Sequence, residues 1–187
     1  MAAAFIKAGF EAHDIHMQDL LEQKKDLNQF NGLAVCGGFS YGDVLGAGKG
    51  WSSTINFSDS IQEKFLKFFE DEQKFTLGVC NGCQMLSSIK EIIPGTNLWP
   101  SFQKNHSDQF EARLSQVKIL KSKSVLFNNM EDWSLPIIVS HGEGRACFKN
   151  EDEINKLFDS EKICMTFVDS SGYQTEQYPL NPNKSPS

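Results

Sequence analysis

Along the chain the apolar positions fall into short runs whose period changes from one segment to the next. Ala2 to Gly9 reads as a helix, with alanines, Phe5 and Ile6 on one side and Gly9 as its stop. Ala12 to Met17 reads as a strand and Leu33 to Cys36 as another. Ser58 to Glu70 is an amphipathic helix with Asp59 near its start and Phe65, Phe68 and Phe69 at core spacings. Phe75, Leu77 and Val79 make a short buried strand, after which Met85, Leu86 and Ile89 continue at helical spacing. Gln109 to Ile119 and Pro136 to Phe148 predict an antiparallel region, Glu151 to Phe158 a polar helix and Ile163 to Val168 a strand. Strands alternating with helices predict an α/β fold, a mostly parallel sheet flanked by helices with an antiparallel extension, whose ligands bind at the C-terminal edge of the strands. No repeat interrupts the chain and no linker precedes its tail, so its 187 residues are expected to form a single domain.

The stretch from Phe75 to Leu86, FTLGVCNGCQML, puts Cys80 at the turn between an apolar strand and an apolar helix. Gly78 and Gly82, two residues to either side, let backbones pass closely around that turn. A cysteine there lies near a helix N-terminus, where N–H groups and the helix dipole favour the negative charge of a thiolate and of an oxyanion on a substrate carbonyl. The same arrangement built around serine is the nucleophile elbow of hydrolases. Most free cysteines are simply core residues, but the flanking glycines at a strand-to-helix junction favour chemistry. Cys80-Asn81-Gly82-Cys83 has the C-x-x-C spacing of redox proteins, without the proline that such motifs normally carry. A metal site is not expected: Cys36, Cys147 and Cys164 are isolated, and His13 and His16 lack a matching pair.

A second glycine-rich stretch, LAVCGGFSYGDVLGAGKGW, begins at Leu33 as an apolar strand, ends in Gly37-Gly38 and enters a loop with Gly42, Gly46, Gly48 and Gly50. It lacks the order of a phosphate-binding G-x-x-x-x-G-K-[ST] loop. Taken with Cys80, it is expected to bring a backbone N–H near Gly38 to one side of an oxyanion, with that of Asn81 on the other.

Five segments in order, GGFSYGDVLGAGKGW, LGVCNGCQML, NHSDQFEARL, VSHGEGR and YPLNPNKSPS, carry a family resemblance over essentially the whole chain. The sequence resembles the class I glutamine amidotransferase domain of phosphoribosylformylglycinamidine synthases, a flavodoxin-like fold, in their large single-chain form. The resemblance implies that Cys80 attacks the side-chain amide of glutamine and that the released ammonia passes to an ATP-dependent synthetase domain of the same chain, which makes the amidine of formylglycinamide ribonucleotide in purine biosynthesis. It implies that Gln84 contacts glutamine and that Asn105, His106 and Ser107 present backbone groups to its α-amino and α-carboxylate ends. From its spacing alone Gln84 reads equally as a helix-surface residue. ATP and magnesium are expected in the synthetase domain and no cofactor in this one.

Members of that family complete the triad with a histidine and a glutamate in a His-Pro-Glu segment after the NPN-x-SP stretch. Here Asn181-Pro182-Asn183-Lys184-Ser185-Pro186 is followed by Ser187. The resemblance thus implies an internal fragment, without the family's first strand and without its base and orienting carboxylate, and inactive by itself. His141 and Glu143 share the His-x-Glu spacing, but by position resemble a segment upstream of the triad and read as structural or interdomain. A non-catalytic docking domain that contacts a larger synthetase chain is the alternative function.

Composition changes little. A hydrophobic share of 40%, a charged share of 22% and a net charge of -6 suit a soluble globular protein and argue against nucleic-acid binding. Fifteen phenylalanines fall at core spacings rather than as a stacking platform. Five unpatterned cysteines suggest a reducing compartment. No apolar run reaches the roughly eighteen residues of a membrane span and no signal peptide is evident, so no membrane partner and a cytoplasmic location are expected. Lys104, Arg113 and Arg145 read as solvated surface cations, with a salt bridge to a neighbouring domain as the alternative.

Overall fold

The computed structural model describes residues 1–39 and 43–186, with the backbone alone at Leu45. Gly42, counted above among the loop glycines, lies outside the described residues. By internal packing the chain divides into two compact units, Met1–Asn97 and Leu98–Ser187.

The first unit carries the parallel pair of an α/β fold. α1 (Ala2–Lys7) ends before Gly9, whose φ of +92° only glycine adopts freely. α2 (Met17–Leu21) follows, and β1 (Gly32–Val35) comes after a short 3-10 turn at Leu27–Gln29. α3 (Lys49–Asn56) and α4 (Asp59–Glu70) precede β2 (Phe75–Gly78), which runs parallel to β1 from Gly32↔Phe75 to Val35↔Gly78. α5 (Asn81–Ser88) leaves the end of β2 after two residues. The amphipathic helix expected from Ser58 is therefore found, with Ser58 as its extended N-cap and Ile61, Phe65 and Phe68 buried to 3% exposure or less. Ile55 of α3 and Met85 and Leu86 of α5 are further buried apolar side chains of this unit. Phe75 lies over Gly32, where a Cβ would come within 2.3 Å of its ring, and its other neighbours are Phe5 and Phe10 at centroid distances of 6.4 and 5.7 Å.

The expected strand at Ala12 to Met17 is not formed. Residues 11–16 have no ladder partner, and Met17 already belongs to a helix. A capping box decides the matter: His16 Nδ1 accepts from the Gln18 N–H at 3.2 Å while the Asp19 carboxylate accepts from the His16 N–H at 3.0 Å. Satisfying those orphan donors starts a helix where alternation alone suggested a strand.

The second unit is the expected antiparallel extension with one helix. β3 (Ser101–Gln103) and β6 (Arg145–Cys147) form a short antiparallel pair. β4 (Glu111–Ile119) is the centre of a three-stranded sheet, flanked antiparallel by β5 (Ser134–His141) and β7 (Met165–Val168). α6 (Glu151–Asp159) lies between β6 and β7 in sequence, its N-cap Asn150 accepting from the Glu153 N–H at 3.0 Å. Odd-numbered positions of β4 turn inward, which buries Val117 and Ile119 but also Glu111 and Ser115, while Leu114 and its cross-strand partner Ile138 face out at 72% and 82% exposure.

Candidate active site

The site builds from the register of the parallel pair. Because Val35 stands opposite Gly78, both strands end at one edge, and the chain turns off that edge at Gly37 on one side and at Cys80 on the other. The Val79 N–H still donates to the Val35 carbonyl at 3.0 Å, so Cys80 is the first residue beyond the ladder. It must reverse direction into α5 at once. It does so with φ +54° and ψ −118°, a conformation that residues with a Cβ rarely hold and that costs of order 1–3 kcal/mol. Cys80 is exposed, and it is the N-cap of an eight-residue helix, which points the N–H groups of the first turn toward the space at its sulfur.

Glycines make this turn possible because side chains would fill it. A Cβ on Gly82 would lie 2.2 Å from the Val35 carbonyl oxygen; one on Gly78 would lie 2.6 Å from Leu86 and 3.0 Å from the Cys83 backbone. A Cβ on Gly37 would come within 2.8 Å of the Cys80 Cβ, so the strand end after Cys36 lies directly against the nucleophile candidate. Gly48, at φ +74°, would place a Cβ 2.6 Å from the Met85 N, which is how the glycine-rich loop packs its backbone onto α5. Both glycine-rich motifs thus serve close backbone approach around one residue.

Of the expected oxyanion pair, Gly38 and Asn81 are brought together, through a contact that the sequence did not announce. Asn81 is 3% exposed, and its Nδ2 donates to the Gly38 carbonyl at 3.0 Å and to the Asp43 carboxylate at 3.1 and 3.3 Å. Asp43 sits inside a quoted motif but had no role there. Gln84 lies one turn into α5, half-buried, with its N–H donating to the Cys80 carbonyl at 3.2 Å. Cys83 differs from Cys80 in kind: burial first, and then the neighbouring Cys80, push its thiol above the ordinary range. The first unit's histidines serve elsewhere, His13 pairing with Glu11 at 2.9 Å and His16 capping α2.

Asn105, His106 and Ser107 belong to the second unit, where Asn105 is a hub rather than a surface turn residue. At 2% exposure its Nδ2 donates to the carbonyls of His141 and Gln109 at 2.7 and 2.9 Å, and its Oδ1 accepts from Asn183 Nδ2, His141 Nδ1 and the Gly144 N–H at 3.0, 2.9 and 3.2 Å. The His106 N–H donates to Asn183 Oδ1 at 3.2 Å. Ser107 heads the influences that hold the buried Glu111 carboxyl below the usual carboxylate range, ahead of the Arg113 guanidinium, while burial works the other way. His141 is held by this network, and burial lowers its imidazole below the ordinary value. Arg113 corrects the expectation of a solvated cation. It pairs with Glu111, donates to the Tyr178 hydroxyl at 2.9 Å and the Pro179 carbonyl at 3.3 Å, and stacks 4.7 Å from the Tyr178 ring. Arg145 likewise donates to Gln103 at 2.9 Å. The sequence reading missed Asn183 and Asp43; their signal was membership in motifs that had been quoted only for resemblance.

Among the described residues no cluster of three histidine, cysteine, aspartate or glutamate side chains is arranged to hold a metal ion, and no helix is long and apolar enough to cross a membrane.

The parallel pair thus ends in a cysteine elbow, with a glycine-rich loop packed on the same helix. Residues 1–187 match the CobB/CobQ-like glutamine amidotransferase domain, and the chain belongs to that family. Among solved structures it is similar to one described as "Structure of PurLQS from Thermotoga maritima", with a TM-score of 0.53 and 21% identity over 78% of this chain and 59% of that one. The chain thus spans less than two thirds of that neighbour's length, and the likeness is one of fold.

Proposed function

We propose that this chain is the glutaminase part of a phosphoribosylformylglycinamidine synthase, releasing ammonia from glutamine for an ATP-dependent synthetase domain of the same protein. Membership in the amidotransferase family and a fold neighbour described as PurLQS support the reading. The observation that carries the chemistry is the backbone of Cys80, at φ +54° between β2 and α5 with glycine on every side that a Cβ would block.

In this reading the Cys80 sulfur attacks the side-chain carbonyl carbon of glutamine, forming a C–S bond while the carbonyl oxygen takes the negative charge. The N–H groups at Gly38 and Asn81 receive that charge. As the oxyanion collapses, the C–N bond breaks and the nitrogen leaves as ammonia, carrying the proton that the thiol gave up. Water then adds to the thioester, the C–S bond breaks and glutamate leaves with the thiol restored. Gln84 would contact the substrate. ATP and magnesium belong with the synthetase domain.

The test is Cys80→Ala in the full-length protein. Loss of glutamine-driven synthesis with ammonia-driven synthesis retained supports the reading. Unchanged glutamine-driven synthesis leaves a docking role instead and overturns it.

A further inference from the structure

We propose that Asp43 is a positioning residue for glutamine hydrolysis, acting through the Asn81 side chain to hold the Gly38 carbonyl, and with it the loop backbone, beside Cys80. The inference rests on the glutaminase reading above.

Gly38 needs a restraint. It follows Gly37, whose backbone lies against Cys80, and at φ +94° it takes a conformation open to few other residues. Among the described residues a Cβ built on it would meet nothing within 4 Å. An oxyanion donor is useful only when it is already aimed, because reorienting it during the reaction takes back the stabilisation it gives. The Gly38 carbonyl accepts from Asn81 Nδ2 at 3.0 Å, which restrains the backbone at Gly38 from its carbonyl side.

Asn81 can do this only if its own amide is held. Nδ2 carries two hydrogens. One serves Gly38; the other points to the Asp43 carboxylate, whose oxygens lie 3.1 and 3.3 Å away. The carboxylate makes that second bond charge-assisted, and the amide is shielded from water at 3% exposure, so the bond is of the stronger kind. Asn81 is also the first residue of α5, next to the nucleophile, and so brings the frame of the helix to the loop. Gly38 and Asp43 are therefore gathered on one amide. Without the carboxylate the amide loses a charge-assisted bond, and its hold on the Gly38 carbonyl weakens while the backbone of Cys80 keeps its own restraints.

That separation gives the test. In the full-length protein, Asp43→Ala, Asp43→Asn and Cys80→Ala are compared by steady-state glutamine hydrolysis and by the rate of Cys80 alkylation with iodoacetamide, a displacement at saturated carbon that needs no oxyanion donor. Asp43→Ala is expected to lower kcat about ten- to a hundredfold with KM within about twofold, and to leave alkylation of Cys80 unchanged. Asp43→Asn, which keeps an acceptor oxygen, should recover most of kcat. A kcat for Asp43→Ala equal to wild type, a parallel fall in alkylation, or no recovery in Asp43→Asn would each overturn the proposal. If Asp43→Ala does not fold, Asp43→Ser takes its place, with reduced kcat at unchanged KM expected and wild-type kcat overturning. Cys80→Ala distinguishes the two levels: hydrolysis that survives it defeats the glutaminase reading itself, whereas hydrolysis lost in Cys80→Ala but normal in Asp43→Ala defeats only the role of Asp43.

Discussion

His141 donates its Nδ1 hydrogen to Asn105 Oδ1 at 2.9 Å, and the rest of the asparagine amide fixes that direction. Asn105 Nδ2 is spent on two carbonyls, so its oxygen must be the acceptor and the neutral imidazole must carry its hydrogen on Nδ1. Burial opposes a second proton, which places the folded imidazole below its ordinary value of 6.5.

A pH dependence of stability follows. Above about pH 6.5 the imidazole is neutral in both folded and unfolded chains and contributes nothing. Below it, down to the depressed folded value, the unfolded chain binds a proton that the folded chain refuses, so stability falls as pH is lowered through that window. His141→Gln can still donate to Asn105 but cannot titrate. Thermal midpoints measured from about pH 7.5 to 5.5 should fall less in the variant than in the wild type; equal slopes would contradict this role for His141.

Gly82→Ala puts a methyl group 2.2 Å from the Val35 carbonyl oxygen, a backbone atom that cannot rotate aside. The helix must shift from the strand, at a cost of about 1–3 kcal/mol, or roughly 2–4 °C of thermal midpoint per kcal/mol. Because α5 begins at Asn81, the same shift moves Cys80. Glutamine hydrolysis is expected to fall further than the loss of folded protein explains; a variant with wild-type stability would show that the approach of α5 to β1 is not as close as described.

The elbow was legible because its signals are local. Glycine two residues before and after a cysteine, at the meeting of a period-two run and a helical run, describes a turn that few other sequences can make, and Gly78 and Gly82 do meet the backbone as that pattern requires. The helix at Asp59–Glu70 was legible for the same reason. Ala12 to Met17 was misread because alternation over six residues is weaker than a capping box, here His16 with Asp19. The polar networks were not legible. Asn81 meets Asp43 across 38 positions and Asn105 meets Asn183 across 78, and neither asparagine has a periodicity that announces a partner. Nor did alternation show which face of β4 is inward, since that face buries Glu111 and Ser115 while Leu114 is exposed.

Cys80 and Cys83 make a sharp comparison of reactivity. Cys80 is exposed at the turn, whereas burial and the nearby Cys80 raise the Cys83 thiol and so keep it protonated. Treating the full-length protein with a glutamine-mimicking electrophile and mapping the adduct by mass spectrometry should find Cys80 modified. Cys36, also exposed, should react with simple alkylating agents but not with the glutamine mimic. Adducts mainly at Cys83 would defeat the assignment.

The most direct measurement replaces Cys80 by alanine in the full-length protein and follows amidine formation with each nitrogen source separately. Synthesis driven by glutamine is expected to fall by several orders of magnitude, as when a nucleophile is removed from comparable sites, while synthesis driven by ammonia stays within about twofold of wild type. Glutamine-driven synthesis that persists in Cys80→Ala would contradict the assignment of Cys80 as the nucleophile.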